Sequence, residues 1–196
     1  MTSEKAYSVE ARLNALIAAG VDSTITDTGI TTVTQATDNL LSASFTIPTD
    51  IAGPNLGTEY ELVAFGSGTW GSTQQALTLN PQLGGTTAGN TTAIGQTQFN
   101  AGAGFRWQFR FIALCTATGA GGAFVIGTFG GASVVSGNIL SGIGNNASLG
   151  FANGSTPSQS IDTTAPFTMK LTASWASTTG SPSITCRGTL LHRRGP

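Results

Sequence analysis

The stretch FRWQFRFIALC, residues 105–115, alternates aromatic rings with polar or basic side chains. Successive side chains of an extended strand point to opposite faces. Four rings therefore share one face: Phe105, Trp107, Phe109 and Phe111. Each large ring buries ~150–250 Å² in a protein core, so four of them side by side would be strongly unfavourable in water. The stretch predicts a core strand, with Arg106 and Arg110 on its outer face.

Basic groups interleaved with aromatic rings are also typical of single-stranded nucleic-acid sites, where bases stack on the rings and arginines contact phosphates. Such a site needs the rings exposed and the arginines on the same side as the rings, but the alternation places Arg106 and Arg110 on the opposite side. The chain has eight Lys+Arg against nine Asp+Glu, and so lacks the basic patch that duplex binding requires. We expect no nucleic-acid partner.

Short runs rich in Thr, Val, Ile and Phe, separated by Gly, Pro and Asn, predict strands through most of the chain. The predicted strands are 30–35, 41–47, 58–66, 75–80, 105–115, 122–129, 166–176 and 183–192. Pro81 is among the predicted breaks. Eight strands without a helix between them predict an all-β fold, an antiparallel β-sandwich of jelly-roll type. The polar segments 84–104 and 136–165 are predicted to be long loops at one end of it.

Residues 4–19 have the one helical pattern in the sequence. Their apolar side chains form a single stripe, which consists of Ala6, Val9, Leu13, Leu16 and Ile17. Gly20 is suited to end the helix in the left-handed conformation. A lone helix of this length is marginal in water, so the stripe needs a partner, either a neighbouring subunit or the side of the sandwich. We therefore expect an N-terminal helical arm, residues 1–20, and a β-sandwich domain, residues 21–196.

Charged residues make up 9% of the chain, against ~25% in an average soluble domain. Between residues 62 and 161 only Arg106 and Arg110 are charged. Such a surface is consistent with a Gly/Thr-rich β domain, and more specifically with a subunit whose surface is largely covered by other protein. No apolar run is long enough to span a membrane, and the N-terminus does not resemble a secretory signal. We expect synthesis in the cytoplasm without export and no membrane partner.

Few residues are suited to catalysis or metal binding. His192 is the only histidine and lies near the end of the chain. Glu59 and Glu61 share one strand face and are the one candidate acid pair for glycoside hydrolysis, although exposed strand faces often carry such residues. We expect them instead to pair with Arg106 and Arg110, or a neighbouring subunit to supply that carboxylate. No calcium-loop or phosphate-loop spacing occurs. The sequence therefore predicts no catalytic residues, no metal and no cofactor.

Cys115 and Cys186 lie in predicted strands, far apart and without CxxC spacing. This arrangement favours two buried thiols over a metal site or a disulfide, and pairing between two sheets stays open as the alternative.

The segment DNLLSASFTIPTDIAGPNLGTEYELVAFGSGTWGSTQQALTLNPQLGG, residues 38–85, resembles a pattern found in virion proteins of tailed bacteriophages. In that pattern a strand ending in "IP" precedes "GTxYxLxAxG", a "TW" turn, and an "ALTL" strand that closes on "LGG". FRWQFRFIAL and FTMKLTASWASTTGSPSITCRGTLL resemble its continuation, so that the similarity covers roughly 30–192. It implies a small jelly-roll domain, commonly trimeric, that decorates capsids or forms tail and fibre parts. It carries no catalytic residues.

The resemblance and the low charge together predict a non-enzymatic virion protein. We expect a capsid decoration (cement) subunit, a homotrimer on the virion capsid surface that binds the major capsid protein and is made in the host cytoplasm. The arm would dock on a subunit or on the capsid through Val9, Leu13, Leu16 and Ile17. The alternative is a tail or fibre component whose loops, 84–104 and 136–165, bind a host glycan or protein. An enzyme that uses Glu59 and Glu61 is a third, weaker alternative.

Overall fold

The computed structural model describes residues 23–27, 31–49, 53–73, 76–87, 92–94, 102–136, 148–150 and 154–195. The predicted helical arm, residues 1–20, lies outside these ranges. Within them the chain forms strands and no helix. The strands are β1 Ser23–Asp27, β2 Thr31–Val33, β3 Asn39–Leu40, β4 Phe45–Ile47, β5 Glu59–Thr69, β6 Leu77–Leu83, β7 Thr86–Thr87, β8 Thr92–Ile94, β9 Gly104–Ala117, β10 Ala123–Ser136, β11 Ser148–Gly150, β12 Gly154–Ser160, β13 Phe167–Trp175 and β14 Ser183–Arg194. The predicted all-β class is confirmed.

These strands form two antiparallel sheets. The eight-stranded sheet has four long strands in the order β14, β5, β9 and β10. Two short strands pair with each outer long strand. β1 and β2 pair with β14 at one edge of the sheet, and β11 and β12 pair with β10 at the other. The six-stranded sheet is centred on β13 and β6, with β3 and β4 beside β13, and β7 and β8 beside β6. Long strands therefore lie in the middle of each sheet and short ones at its edges.

One hydrophobic cluster joins the inner faces of the two sheets. The four rings of β9 all lie in it, and the most accessible of them, Trp107, is only 3% exposed. The six-stranded sheet supplies the inward residues of β13, among them Phe167 and Trp175. Phe124 of β10 meets Phe167 with ring centroids 5.6 Å apart. The prediction that the rings of residues 105–111 point into the core is confirmed.

Small residues on β5 make room for these rings. Three inward residues of β5 lie opposite rings of β9. The pairs are Ala64 with Phe109, Gly66 with Trp107, and Gly68 with Phe105. A side chain at Gly66 would meet the Thr185 carbonyl and the Trp107 indole, and one at Gly68 would meet the Phe105 ring. The prediction that this strand ends at residue 66 is wrong, because the two glycines accommodate bulky neighbours and β5 continues to Thr69.

Pro81 was predicted to break its strand, and this prediction is wrong. Pro81 lies inside β6 and pairs with Leu171 of β13. On the other side of β6, β8 pairs with residues 77–79 and β7 with residues 82–83. Pro81 thus falls between the two short edge strands, where a missing N–H costs no pairing among the described residues.

Of the predicted strand 41–47, only Phe45–Ile47 forms a strand, β4, and β3 ends before it at Leu40. The N–H groups of Leu41 and Ser42 both donate to the carbonyl oxygen of Leu171, at 2.9 and 3.0 Å. The Ser42 hydroxyl in turn accepts a hydrogen bond from the Leu171 N–H at 2.7 Å. A side chain here replaces a backbone group in the ladder, a local interruption that apolar alternation does not reveal.

The two segments predicted to be long loops contain strands. Within residues 84–104 lie β7 and β8, and within residues 136–165 lie β11 and β12. These edge strands are rich in Gly, Ser and Thr. Their composition therefore resembles that of a loop, and only pairing with β6 and β10 identifies them as strands.

Cys115 and Cys186 are both free and buried. Burial raises the pKa of the Cys115 thiol, and a hydrogen bond with the backbone of Ala117 partly opposes this rise. Because a reagent has to reach the sulfur and both side chains are buried, we expect neither cysteine of the folded protein to react with a thiol reagent at pH 8, and both to react at once in denaturant. For Cys115 the raised pKa also disfavours the reactive thiolate. Mass spectrometry after pulse alkylation measures this difference. Rapid labelling of Cys115 in the native protein would contradict the buried position.

Candidate functional site

The outer faces of the two sheets have opposite characters. The outward residues of β6 and β13 in the six-stranded sheet are all polar, namely Thr78, Asn80, Gln82, Thr168, Lys170, Thr172 and Ser174. The Asp38 carboxylate accepts hydrogen bonds from three of them, Asn80 at 2.9 Å, Gln82 at 3.2 Å and Thr172 at 2.7 Å. This face is thus suited to contact with water.

The outer face of the eight-stranded sheet carries large apolar side chains that are part exposed. Phe65 is 43% exposed, Leu114 37%, Val125 38% and Phe129 44%. Half-buried Val63, Ile112 and Leu190 lie on the same face. We call these seven residues the apolar face. Scattered exposed apolar residues are ordinary in soluble proteins, but a contiguous set indicates an interaction surface.

The strand register makes the apolar face contiguous. Leu114 of β9 pairs with Val125 of β10. In the neighbouring pair on this face, Ile112 of β9 lies opposite Gly127 of β10. The Phe129 ring lies close to Gly127. On the next row Val63 pairs with Leu190 on one side and Arg110 on the other. The apolar side chains thus extend across β14, β5, β9 and β10.

An ion-pair network lies within the apolar face, since Arg110 is the cross-strand neighbour of both Val63 and Phe129. Arg110 forms an ion pair with Glu61. Arg194 contacts the second oxygen of Glu61 through Nη2 at 2.8 Å and Glu59 Oε1 through Nη1 at 3.1 Å. Glu61 is 2% exposed. Its cross-strand neighbours are Ile112 and His192, and both arginines contact its carboxylate. The arginines themselves are nearly half exposed, so solvent screening keeps the contribution of each pair small.

The network gives Glu59 and Glu61 a structural role. Both carboxylates are held by the same guanidinium, that of Arg194, and Glu61 is also held by Arg110. A glycosidase acid pair instead flanks an open cleft in which a sugar ring fits. The geometry therefore favours ion pairing over catalysis at these two residues.

Arg106 differs from Arg110 in its surroundings. It is exposed, and no salt bridge to it occurs among the described residues. Its cross-strand neighbours are Ser67 and Ser133. Arg187 is also exposed and donates through Nε to Ser67 Oγ at 3.2 Å, and it likewise has no salt bridge among the described residues. Arg106 is thus one of two arginines on this face that are open to a carboxylate from outside the described part of the chain.

Arg106 lines a groove of about 780 Å³ on the same face. The side chains of Phe65 and Leu190 line it as well, and Gly66, Gly130 and Gly131 contribute backbone without side chains. Gln108 and Ser133 add polar groups. The groove thus combines apolar side chains with the guanidinium of Arg106, which has no salt bridge within the described ranges. This arrangement fits an apolar segment bearing an acidic group.

Other chemistry has little support in the described part of the chain. No group of three or more His, Cys, Asp or Glu side chains is close enough to hold a metal ion there. His192 of β14 lies opposite Glu61 of β5, beside the ion-pair network. It does not line the groove that contains Arg106. The described residues include no helix long and apolar enough to cross a membrane.

Sequence reasoning placed Arg106, Arg110, Glu59 and Glu61 on one outer face, and the structure brings three of them into one network. It did not identify the apolar face. A signal was present in AFVIGTF, residues 123–129, where Val125 and Phe129 are apolar although they alternate with buried Phe124 and Ile126. The arm residues Val9, Leu13, Leu16 and Ile17 lie outside the described residues.

No family model, curated protein or solved structure matches this chain.

Proposed function

We propose that this chain is a structural subunit of a virion of the tailed-phage type, a capsid decoration protein without enzymatic activity. In this proposal its two sheets form a jelly-roll sandwich, the subunit is a homotrimer, and it binds the major capsid lattice on the outside of the particle. The observation that carries the proposal is the apolar face, which a free monomer would leave in contact with water.

Two properties of the described surface support a role in assembly. The half-exposed side chains of the apolar face provide an area whose burial is favourable at ~25 cal/mol per Å². The chain also has a formal net charge of −1, smaller in magnitude than the ~2–8 that keeps small free domains apart. Subunits of this kind associate without electrostatic repulsion.

The virion assignment comes from the resemblance of residues 38–85 and their continuation to jelly-roll virion proteins. In those proteins the domain acts through binding rather than catalysis. Attachment of many subunits to a shell stabilises it by mass action and by the additional area that each contact buries.

The proposal is tested by adding the purified protein to phage capsids that lack it. We expect the protein to co-sediment with the capsids, to saturate at a fixed ratio to the major capsid protein, and to raise the temperature at which the shell opens. Removing residues 1–20 should abolish retention while the circular dichroism of the β domain is kept. A protein that never saturates the capsid, or is found in a few copies at the tail, would contradict the decoration role.

The second candidate is a tail or fibre component that binds a host glycan or protein. The groove beside Phe65 favours it, because an aromatic ring together with Gln108 and Arg106 provides stacking and hydrogen bonding to a sugar. Cell-surface binding by the purified protein, lost in Phe65→Ser but kept in Leu56→Ser, would select this candidate. Leu56 is also exposed but lies outside the groove.

A further inference from the structure

The apolar face and the N-terminal arm have complementary surfaces. The face presents seven apolar side chains and, next to Phe65 and Ser67, the cations Arg106 and Arg187, neither of which has a salt bridge among the described residues. The arm, residues 1–20, has an apolar stripe through Val9, Leu13, Leu16 and Ile17. In the helix that the sequence predicts for residues 4–19, with 3.6 residues per turn, Glu10 would lie beside this stripe, one turn before Leu13, and Glu4 on the opposite side. Glu10 is therefore the acidic group of the arm that can reach a partner of the stripe.

The position of Ser23 decides whose arm can reach the face. Ser23 begins β1, which lies at the edge of the eight-stranded sheet beside β14. The apolar face is centred on β9, three strand spacings away. At ~4.8 Å between strands and ~10 Å between packed layers, a helix lying along β9 is about 17 Å from Ser23.

The connection within one chain is too short for that distance. Residues 20–22 link the predicted helix to Ser23, and four Cα–Cα steps span at most about 14 Å. A helix tethered in this way can overlie β14 and β5, which carry Leu190, Val63 and Phe65, but it does not reach Phe129 on β10, four strand spacings from β1. The arm of a neighbouring copy has no such tether and can lie along β9.

We propose that the N-terminal arm of one copy docks on the apolar face of a second copy, with its stripe against Phe65 and Phe129 and Glu10 beside Arg106. This inference rests on the proposed structural role, since it names what covers the face in the assembly. Each copy donates its arm to the next, so that each contact joins two different surfaces, an arm and an apolar face. Such an interface is heterologous and forms a closed ring when the rotation between copies permits it.

The test mixes two full-length variants, each lacking one half of the contact. The arm variant carries Leu13→Asp with Leu16→Asp, and the face variant carries Phe65→Asp with Phe129→Asp. We expect each variant alone to be monomeric by light scattering and native mass spectrometry. Mixed, they should form a 1:1 heterodimer, because the face variant still has an intact arm and the arm variant an intact face.

The oligomeric state of a control variant and of the two single variants shows whether the proposal holds. Leu40→Asp with Leu56→Asp changes two exposed apolar residues outside the apolar face and should leave the oligomer intact. Oligomers in either variant alone would overturn the proposal, and so would a mixture that stays monomeric, which indicates that each chain binds its own arm or none. Circular dichroism of each variant verifies folding.

The Glu10–Arg106 contact is tested by charge reversal in the full-length chain. Arg106→Glu should raise the dissociation constant between copies about two- to fivefold, as expected for an exposed ion pair. Adding Glu10→Arg should restore it. Equal weakening in the single and double variants would overturn this contact. The tests involve no capsid, so their outcome is separate from that of capsid binding.

Discussion

Replacing Phe109 by alanine is expected to lower the free energy of unfolding by about 3–5 kcal/mol. The Phe109 ring is fully buried in the centre of β9 and lies opposite Ala64. Truncation loses the transfer free energy of the ring and leaves a cavity that the neighbouring strands cannot fill. Urea unfolding followed by tryptophan fluorescence measures the change. It is best carried out in the monomeric arm variant, where assembly does not contribute to stability.

Phe129→Ala is the matched control, because Phe129 lies on the next strand, but on the outer face and 44% exposed. We expect a loss of about 1 kcal/mol or less in the monomer. Similar losses for the two substitutions would contradict the assignment of inner and outer faces, on which the identity of the apolar face depends.

Gly66→Ala is expected to destabilise the fold by the upper part of the range of about 1–3 kcal/mol that overpacking costs, or more. A Cβ at Gly66 would overlap the carbonyl oxygen of Thr185 and approach the indole nitrogen of Trp107. The Trp107 Nε1–H donates to this same carbonyl at 3.2 Å, so the added methyl group also disturbs a hydrogen bond of a buried ring. Thermal unfolding measures the change.

Gly121→Ala provides the comparison in a turn. No atom lies within 4 Å of a Cβ placed there, and Gly121 does not have the positive φ of nearby Gly119. We expect stability to be unchanged or slightly raised, since alanine reduces the freedom of the unfolded chain. A Gly66→Ala variant as stable as Gly121→Ala would show that β5 does not pack closely against β14.

The long central strands were predictable because their pattern is repeated over many residues. Phe105 to Phe111 and Phe167 to Trp175 each alternate without interruption, and only one orientation buries all their rings. The edge strands were not predictable. β7, β8, β11 and β12 contain few apolar residues, and they are strands because a central strand offers unpaired backbone groups beside them.

The apolar face was hidden for a different reason. Val125 and Phe129 lie in a short apolar run. Such a run indicates a strand that is buried on both faces, but it does not show which part of the protein covers the outer face. The charged half of the site was easier to identify, since charges are few. With two charges between residues 62 and 161, the pairing of Arg110 with a glutamate of β5 had few alternatives.

The contrast between the two outer faces links the fold to the proposed role. Asp38 and its polar neighbours satisfy each other on the six-stranded sheet and leave that face suited to solvent. The eight-stranded sheet instead combines apolar side chains with Arg106, which has no salt bridge to any residue that the structure describes. A subunit in an assembly needs one face of each kind, one toward solvent and one toward another protein.

The mass of the full-length protein in dilute solution tests this account most directly. One chain has a mass of 19.8 kDa, and light scattering over a dilution series gives the number of chains per particle. We predict a defined multiple of that mass, reduced to a single chain in the Phe65→Asp, Phe129→Asp variant. A wild-type protein that stays at 19.8 kDa at every concentration would show that a second copy does not cover the apolar face.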